Sequence, residues 1–194
     1  MPKRFFIIPG FTHKTTDLAY RRLASFLRSK GFQVVIAKID WKRRVMSDYV
    51  EQFKAQYSKY EPGENQILGF SFGAVIALIS AADLKPRRLL LCSLSPCFVE
   101  DLRYFSKNDA KIIGKRRLKD FRNFSAIELA ERIKTPTVVF CGDREAKRYP
   151  ALIRRCRQTV EKMKNARLVM AADAHHDIAY PSYDEAIKKS IYDK

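Results

Sequence analysis

Ser71 stands in Gly69-Phe70-Ser71-Phe72-Gly73, with a glycine two residues before it and another two residues after. A serine hydroxyl is a weak nucleophile until a base takes its proton during attack. The Gly-x-Ser-x-Gly spacing suits a strand-to-helix turn so tight that the serine backbone is strained. Where the two backbones press together, only glycine or a very small residue fits. The helix that follows points its N-terminus at the hydroxyl and favours negative charge there. A glycine-flanked turn without chemistry is the plainer alternative. Other chemistry is sparse. His175 and His176 are the only adjacent ligand candidates, and neighbouring residues rarely turn both rings toward one ion, so no metal is expected. Cys92, Cys97, Cys141 and Cys156 show no C-x-x-C spacing and read as free thiols of a reducing cytoplasm.

The elements that must position Ser71 follow from the hydrophobic pattern. Short apolar runs alternate with amphipathic segments. Strands are expected at Arg4–Ile8, Gln33–Ile39, Gln66–Phe70, Arg88–Ser93, Thr137–Cys141 and Arg167–Met170. Helices are expected at Thr16–Lys30, at Ser47–Tyr60 with Ser47 as N-cap, and at Phe72–Ala82. Three more are expected at Ser125–Ile133, Pro150–Lys164 and Ser182–Tyr192, the first capped by Ser125 with Glu128 three residues on. Phe72–Ala82 is apolar nearly all round, which places it at the centre of the fold. Strands separated by helices imply a mostly parallel sheet of about six strands inside a three-layer α/β/α sandwich. At 194 residues the chain is expected to form one domain, with no internal repeat and no linker.

In this setting the chain resembles the α/β-hydrolase superfamily over nearly its whole length, as a minimal, single-domain serine hydrolase. Gly69–Gly73 resembles the family's nucleophile elbow. Ile7-Ile8-Pro9-Gly10-Phe11 resembles the oxyanion loop after an early strand, with Pro9 where the family often has histidine and Gly10 kept. The resemblance implies that the backbone N–H groups of Phe11 and Phe72 stabilise a tetrahedral oxyanion. It places the triad acid after the next-to-last strand, in Gly142-Asp143-Arg144-Glu145. The usual Gly-x-x-Asp pattern matches Glu145, with Asp143 as the alternative acid. It places the base after the last strand, in Ala174-His175-His176-Asp177-Ile178. There His176 is favoured and His175, at the usual glycine, is the alternative. The order serine, acid, histidine is that of α/β-hydrolases. By this resemblance His176 activates Ser71, Glu145 fixes the ring, and water releases the acyl-enzyme, with no cofactor. The bond expected to be cleaved is a carboxylic ester or a thioester of a small acyl substrate.

Pro96–Phe124, without a clean period, lies where the family commonly inserts a cap. Phe98, Leu102, Tyr104 and Phe105 would either line an acyl pocket or anchor the segment to the core. Arg103, Lys107, Lys111, Lys115, Arg116 and Arg117 give it a positive bias that would suit an acidic substrate. His13 reads as an exposed loop histidine and Trp41 as a packing residue at the sheet edge. The net charge is +17. The basic residues are spread along the chain without an aromatic-interleaved nucleic-acid motif, so a solvated surface is favoured over a nucleic-acid or anionic-lipid partner. No apolar run approaches the roughly 18 residues of a membrane span, and a cytoplasmic protein is expected. The second functional reading is a hydrolase-like module with weak or no activity that binds an anionic partner.

Overall fold

In the computed structural model, which describes residues 2–192, six strands form one all-parallel sheet. They are β1 (Lys3–Ile8), β2 (Gln33–Ile36), β3 (Glu64–Phe70), β4 (Arg88–Cys92), β5 (Thr137–Gly142) and β6 (Ala166–Ala171), in the spatial order β2-β1-β3-β4-β5-β6. Side chains alternate across the pleat, and this divides the core in two. Phe5, Ile7, Leu68, Phe70, Leu90 and Phe140 meet α1 (Leu18–Ser29) and α9 (Pro181–Tyr192) on one face. Phe6, Ile8, Ile67, Leu89, Leu91 and Val139 meet α2 (Met46–Tyr57), α3 (Phe72–Leu84), α6 (Ala126–Arg132) and α8 (Pro150–Lys162) on the other. The sandwich has the three layers expected from the alternation. Helix α3 packs against the central strands β3 and β4, and every residue from Gly73 to Ala81 is buried.

Two local expectations need correction. The second strand ends at Ile36, not Ile39, because β2 is an edge and its outer neighbour is a helix. Past the last ladder bond, from Ala37 N–H to the Ile7 carbonyl (2.8 Å), glutamine side chains of α2 take over. Gln56 Oε1 accepts from Lys38 N–H (2.9 Å), and Gln52 Oε1 accepts from Asp40 N–H (2.7 Å). Ser47 is not the N-cap of α2, since Val45 holds that place and Asp48 Oδ2 accepts its N–H (2.9 Å). Ser47 lies inside the first turn, where Asp120 accepts from its N–H (2.9 Å) and its hydroxyl (2.6 Å). The orphan donors of this helix end are thus satisfied by a residue 73 positions away in sequence.

Asp120 belongs to the segment between β4 and α6, which folds as a 3-10 helix (Val99–Tyr104) followed by α4 (Lys107–Ile113) and α5 (Lys115–Phe121). A buried ion pair anchors it. Asp101 Oδ1 accepts from Arg155 Nη2 (2.7 Å) and Nε (3.2 Å), with Arg155 1% and Asp101 3% exposed. Glu100 beside it accepts from the Ser125 hydroxyl (2.5 Å) and from Ala126 and Ile127 N–H (3.3 Å each), which caps α6. Ser125 in turn accepts from Glu128 N–H (3.2 Å), the N-cap expected from sequence. Removing Asp101 would leave the buried Arg155 with Glu100, at 3.8 Å, as its remaining carboxylate partner among the described residues. Asp101→Ala is therefore expected to cost about 3–5 kcal/mol in urea denaturation. The double replacement Asp101→Leu with Arg155→Met, which removes both charges, is expected to recover most of that loss. A cost for Asp101→Ala below about 1 kcal/mol, the range of exposed pairs, would contradict this account.

Candidate active site

Ser71 joins β3 to α3 with φ 56° and ψ −118°, a strained geometry for a residue with a Cβ. Its N–H donates to the Cys92 carbonyl at the end of β4 (2.8 Å), and its carbonyl accepts from Ala74 N–H (3.0 Å), opening α3. The flanking glycines make the turn possible. A Cβ at Gly69 would lie 2.1 Å from the Gly73 carbonyl oxygen, and one at Gly73 would lie 2.2 Å from that of Ile8. Both are distances that no real Cβ adopts. The end of β1, the end of β3 and the first turn of α3 are therefore pressed into direct backbone contact around Ser71.

His176, in the loop between β6 and α9, brings Nε2 to 3.0 Å from Ser71 Oγ. Its Nδ1 is hydrogen-bonded to Glu145 Oε1. Glu145 lies in the first turn of α7 (Asp143–Arg148), which starts directly at the end of β5, and it is 1% exposed. Its other oxygen, Oε2, accepts from the Ser93 hydroxyl (2.9 Å) and Gly142 N–H (3.0 Å), with the Cys141 thiol at 3.6 Å. The Glu145 N–H donates to the Ala174 carbonyl (3.1 Å), tying α7 to the loop that carries His176. Gly142 permits that approach, since a Cβ there would stand 2.3 Å from the same carbonyl oxygen. An ionised carboxylate only accepts, so Nδ1 carries the ring proton and Nε2 is left to accept from Ser71. Ser71 Oγ in turn accepts from the Ser95 hydroxyl (3.2 Å).

The structure brings together Ser71, His176 and Glu145 from three separate stretches of chain. Asp143 is half-buried two residues before Glu145, and His175 is exposed with its ring edge-on to Tyr180, so neither alternative joins. Three further polar residues of the site escaped the sequence reading. Ser93 and Ser95 follow β4 directly, at the carboxyl end of a parallel sheet where ligands bind in open α/β folds, so their position was a usable signal. Tyr183, from α9, was invisible to spacing. It is fully buried, with its hydroxyl 2.8 Å from Ser93 Oγ and 3.1 Å from the Phe140 carbonyl. Burial pushes its phenol well above the ordinary range, which keeps it a donor and leaves the Ser93 proton for Glu145. Beside Glu145, the neighbouring Cys156 and burial push the Cys141 thiol up, so no second negative charge forms there. All four cysteines are free and buried.

The loop after β1 is held from below. Tyr20 Oη accepts from Gly10 N–H (2.9 Å) and lies 2.8 Å from His13 Nδ1, and burial pushes its phenol up, so it donates to that ring. His13 is exposed and stacks on Phe70. The Phe11 ring sits 5.1 Å from that of Phe72 and 5.4 Å from Trp41, which places Trp41 as a packing residue behind the loop. Phe72 is the first residue of α3, so its N–H has no acceptor within the helix.

A cleft of about 470 Å³ opens beside Ser71 and His176, within the usual size of small-ligand sites. Tyr104 and Phe105 line it, together with Arg148 and Tyr149. Phe98 does not. It is fully buried under the Arg155 guanidinium and serves as an anchor, as Leu102 does from a half-buried position. Arg117 is likewise spent on structure. It donates to the carbonyls of Arg44 (3.2 Å), Trp41 (3.4 Å) and Ile113 (3.4 Å), and its guanidinium lies 4.9 Å over the Phe11 ring. Among the described residues no group of three His, Cys, Asp or Glu side chains could hold a metal ion, and no helix is long and apolar enough to cross a membrane.

With this geometry in place, the comparisons are informative. The chain superimposes on Est1E from Butyrivibrio proteoclasticus, solved with ferulic acid bound, with a TM-score of 0.80 at 16% identity, over 98% of this chain and 87% of the other. Alpha/beta hydrolase domain-containing protein 10 from mouse gives 0.74 at 12% identity, over 96% and 87%. The thioesterase domain from the curacin biosynthetic pathway gives 0.72 at 16% identity, over 99% and 92%. The chain therefore has the α/β-hydrolase fold. No family model and no curated protein sequence matches it.

The backbone contact at the turn has a measurable consequence. Gly73→Ala is expected to lower stability by about 3 kcal/mol or more, at the upper end of overpacking costs, read as a drop in the urea midpoint. Gly114→Ala is the comparison, because its Cβ meets no atom within 4 Å and only its φ of 87° opposes the change. It is expected to cost about 1 kcal/mol. Equal losses at the two positions would contradict the packing described.

Proposed function

We propose that the protein is a serine hydrolase that cleaves a carboxylic ester or thioester of a small acyl substrate through an acyl-enzyme. The observation that carries this reading is the continuous hydrogen-bonded line from Glu145 through His176 to Ser71, ending on a strained turn at the floor of an open cleft. In this mechanism the Ser71 oxygen attacks the acyl carbon as its proton passes to His176 Nε2. Glu145 stabilises the imidazolium without taking the proton. The N–H groups of Phe11 and Phe72 hold the oxyanion. Each such donor supplies about 3 kcal/mol of barrier stabilisation. His176 then protonates the leaving group, and water, activated by the same ring, hydrolyses the acyl-Ser71 ester. The segment 96–124 acts as a short cap whose Tyr104 and Phe105 form one wall for the acyl group. The likeness to a structure holding ferulic acid and to a thioesterase domain supports acyl chemistry as the starting point for substrates.

The test is labelling with a fluorophosphonate followed by peptide mass spectrometry. One adduct on Ser71 is expected, absent from a folded Ser71→Ala protein. Turnover of a graded panel of acyl esters and thioesters is expected to fall by about 10⁴-fold or more in that variant. Wild-type protein that stays unlabelled while folded would contradict the reading. The net charge of +17 favours a second reading, an inactive module that binds an anionic partner. Salt-sensitive mobility shift or liposome binding together with an inert Ser71 is the outcome that would establish it over the first.

A further inference from the structure

The charge around the cleft is one-sided. Among the described residues no aspartate or glutamate lines it, and Glu145, behind His176, is buried and engaged with that ring. Arg148 reaches the cleft from the last turn of α7 and is exposed, with the Tyr149 ring against its guanidinium (5.6 Å) and no acidic partner among the described residues. Arg144, one turn earlier on the same helix, is paired with Asp173 at 3.0 Å. A second guanidinium packs on one of the lining residues. Arg154 lies 3.9 Å over the ring of Tyr104, and its Nη1 is buried without a hydrogen-bond partner among the described residues. Between the two arginines in sequence, Tyr149, Pro150, Ala151 and Leu152 bring the first turn of the 13-residue helix α8 to the cleft, and that turn carries no acidic side chain.

A buried N–H donor without an acceptor is costly, and a cation without a counter-charge beside a cavity is a ready site for an anion. The N-terminal turn of α8 adds its partial positive charge to the same space. From these observations we infer that the cleft holds an acyl ester bearing an anionic group, a carboxylate or phosphate, which Arg148 binds, with Arg154 adding positive charge from against Tyr104, while Ser71 faces the ester. This inference rests on the cleft being the acyl site. It also relocates the preference for acidic substrates. The sequence put it on the basic residues of segment 96–124, whereas the cation lining the cleft is Arg148 of α7, with Arg154 of α8 against the lining ring of Tyr104.

The test uses binding, so that it does not depend on turnover. Folded Ser71→Ala protein is titrated with ethyl butyrate, monoethyl glutarate and ethyl phosphonobutyrate, followed by protein NMR. The carboxylate or the phosphonate ester is expected to bind about tenfold more tightly than ethyl butyrate, with an advantage that shrinks as salt is raised. Whichever anion gains more identifies the group. Adding Arg148→Gln and Arg154→Gln is expected to bring the anionic esters to within about twofold of the neutral one. Arg116→Gln, which removes an exposed charge elsewhere, is expected to keep the advantage. Equal affinities for the three esters, binding of none, or an advantage that survives the double substitution would overturn the inference. Fluorophosphonate labelling of wild-type Ser71 reports separately on the hydrolase reading, so either can fail alone.

Discussion

The carboxylate of Glu145 is the group around which the upper edge of the sheet is arranged. A buried anion is costly unless its lone pairs are filled by donors. Here the donors come from the end of β5 (Gly142), from the residue after β4 (Ser93), and from the loop after β6 (His176). The backbone of Glu145 adds a bond to Ala174, and Tyr183 of α9 supports Ser93 from the far side. Three separate stretches of the chain thus converge on one side chain, with a fourth supporting them. Its charge is compatible with burial only while all of them are in place. The same hydrogen bonds that satisfy the carboxylate fix the tautomer of His176, so stability of this edge and orientation of the imidazole are one requirement.

The Ser71 side of the site depends on a different constraint, close backbone contact. Gly69 and Gly73 let β1, β3 and α3 approach until no Cβ fits between them, and Ser71 takes up the turn with a positive φ. Strain of this kind costs about 1–3 kcal/mol per residue and persists only where the surroundings over-determine it. Here the surroundings are a helix buried over nine consecutive residues and two central strands. The hydrogen-bonded edge and the strained turn meet at one contact, His176 Nε2 to Ser71 Oγ.

How much of this was legible depended on how local the signal was. The six strands, the parallel sheet and the buried central helix were readable because alternation and apolar runs act over a few residues. The pattern around Ser71 was readable because glycine at fixed offsets records a backbone clash. Glu145 and His176 were named by resemblance, and no property of the two segments taken alone indicates that they meet. What could not be read is what arises between distant stretches. The caps given by Asp120 to α2 and by Glu100 to α6 pair residues far apart, and Ser47 looked like a cap because the true partner lay elsewhere. The glutamines that complete the edge beyond β2 made a strand seem longer than it is. The sequence left Phe98 open between pocket wall and anchor and counted Arg117 toward a positive bias of the segment, and packing gives both a structural use. Arg154 read only as part of one of several basic runs, and Arg148 did not stand out in a chain with 38 lysines and arginines, since only the fold distinguishes a cation without a partner from the rest.

The central claim is that Glu145, and not the neighbouring Asp143, orients His176 toward Ser71. The rate of Ser71 modification by a fluorophosphonate in Glu145→Gln and Asp143→Asn proteins measures this most directly. The account expects modification to slow by roughly 10³-fold or more in Glu145→Gln, where the amide no longer holds the ring in the required tautomer, and to stay near the wild-type rate in Asp143→Asn. Slowing in Asp143→Asn with Glu145→Gln unaffected would contradict it.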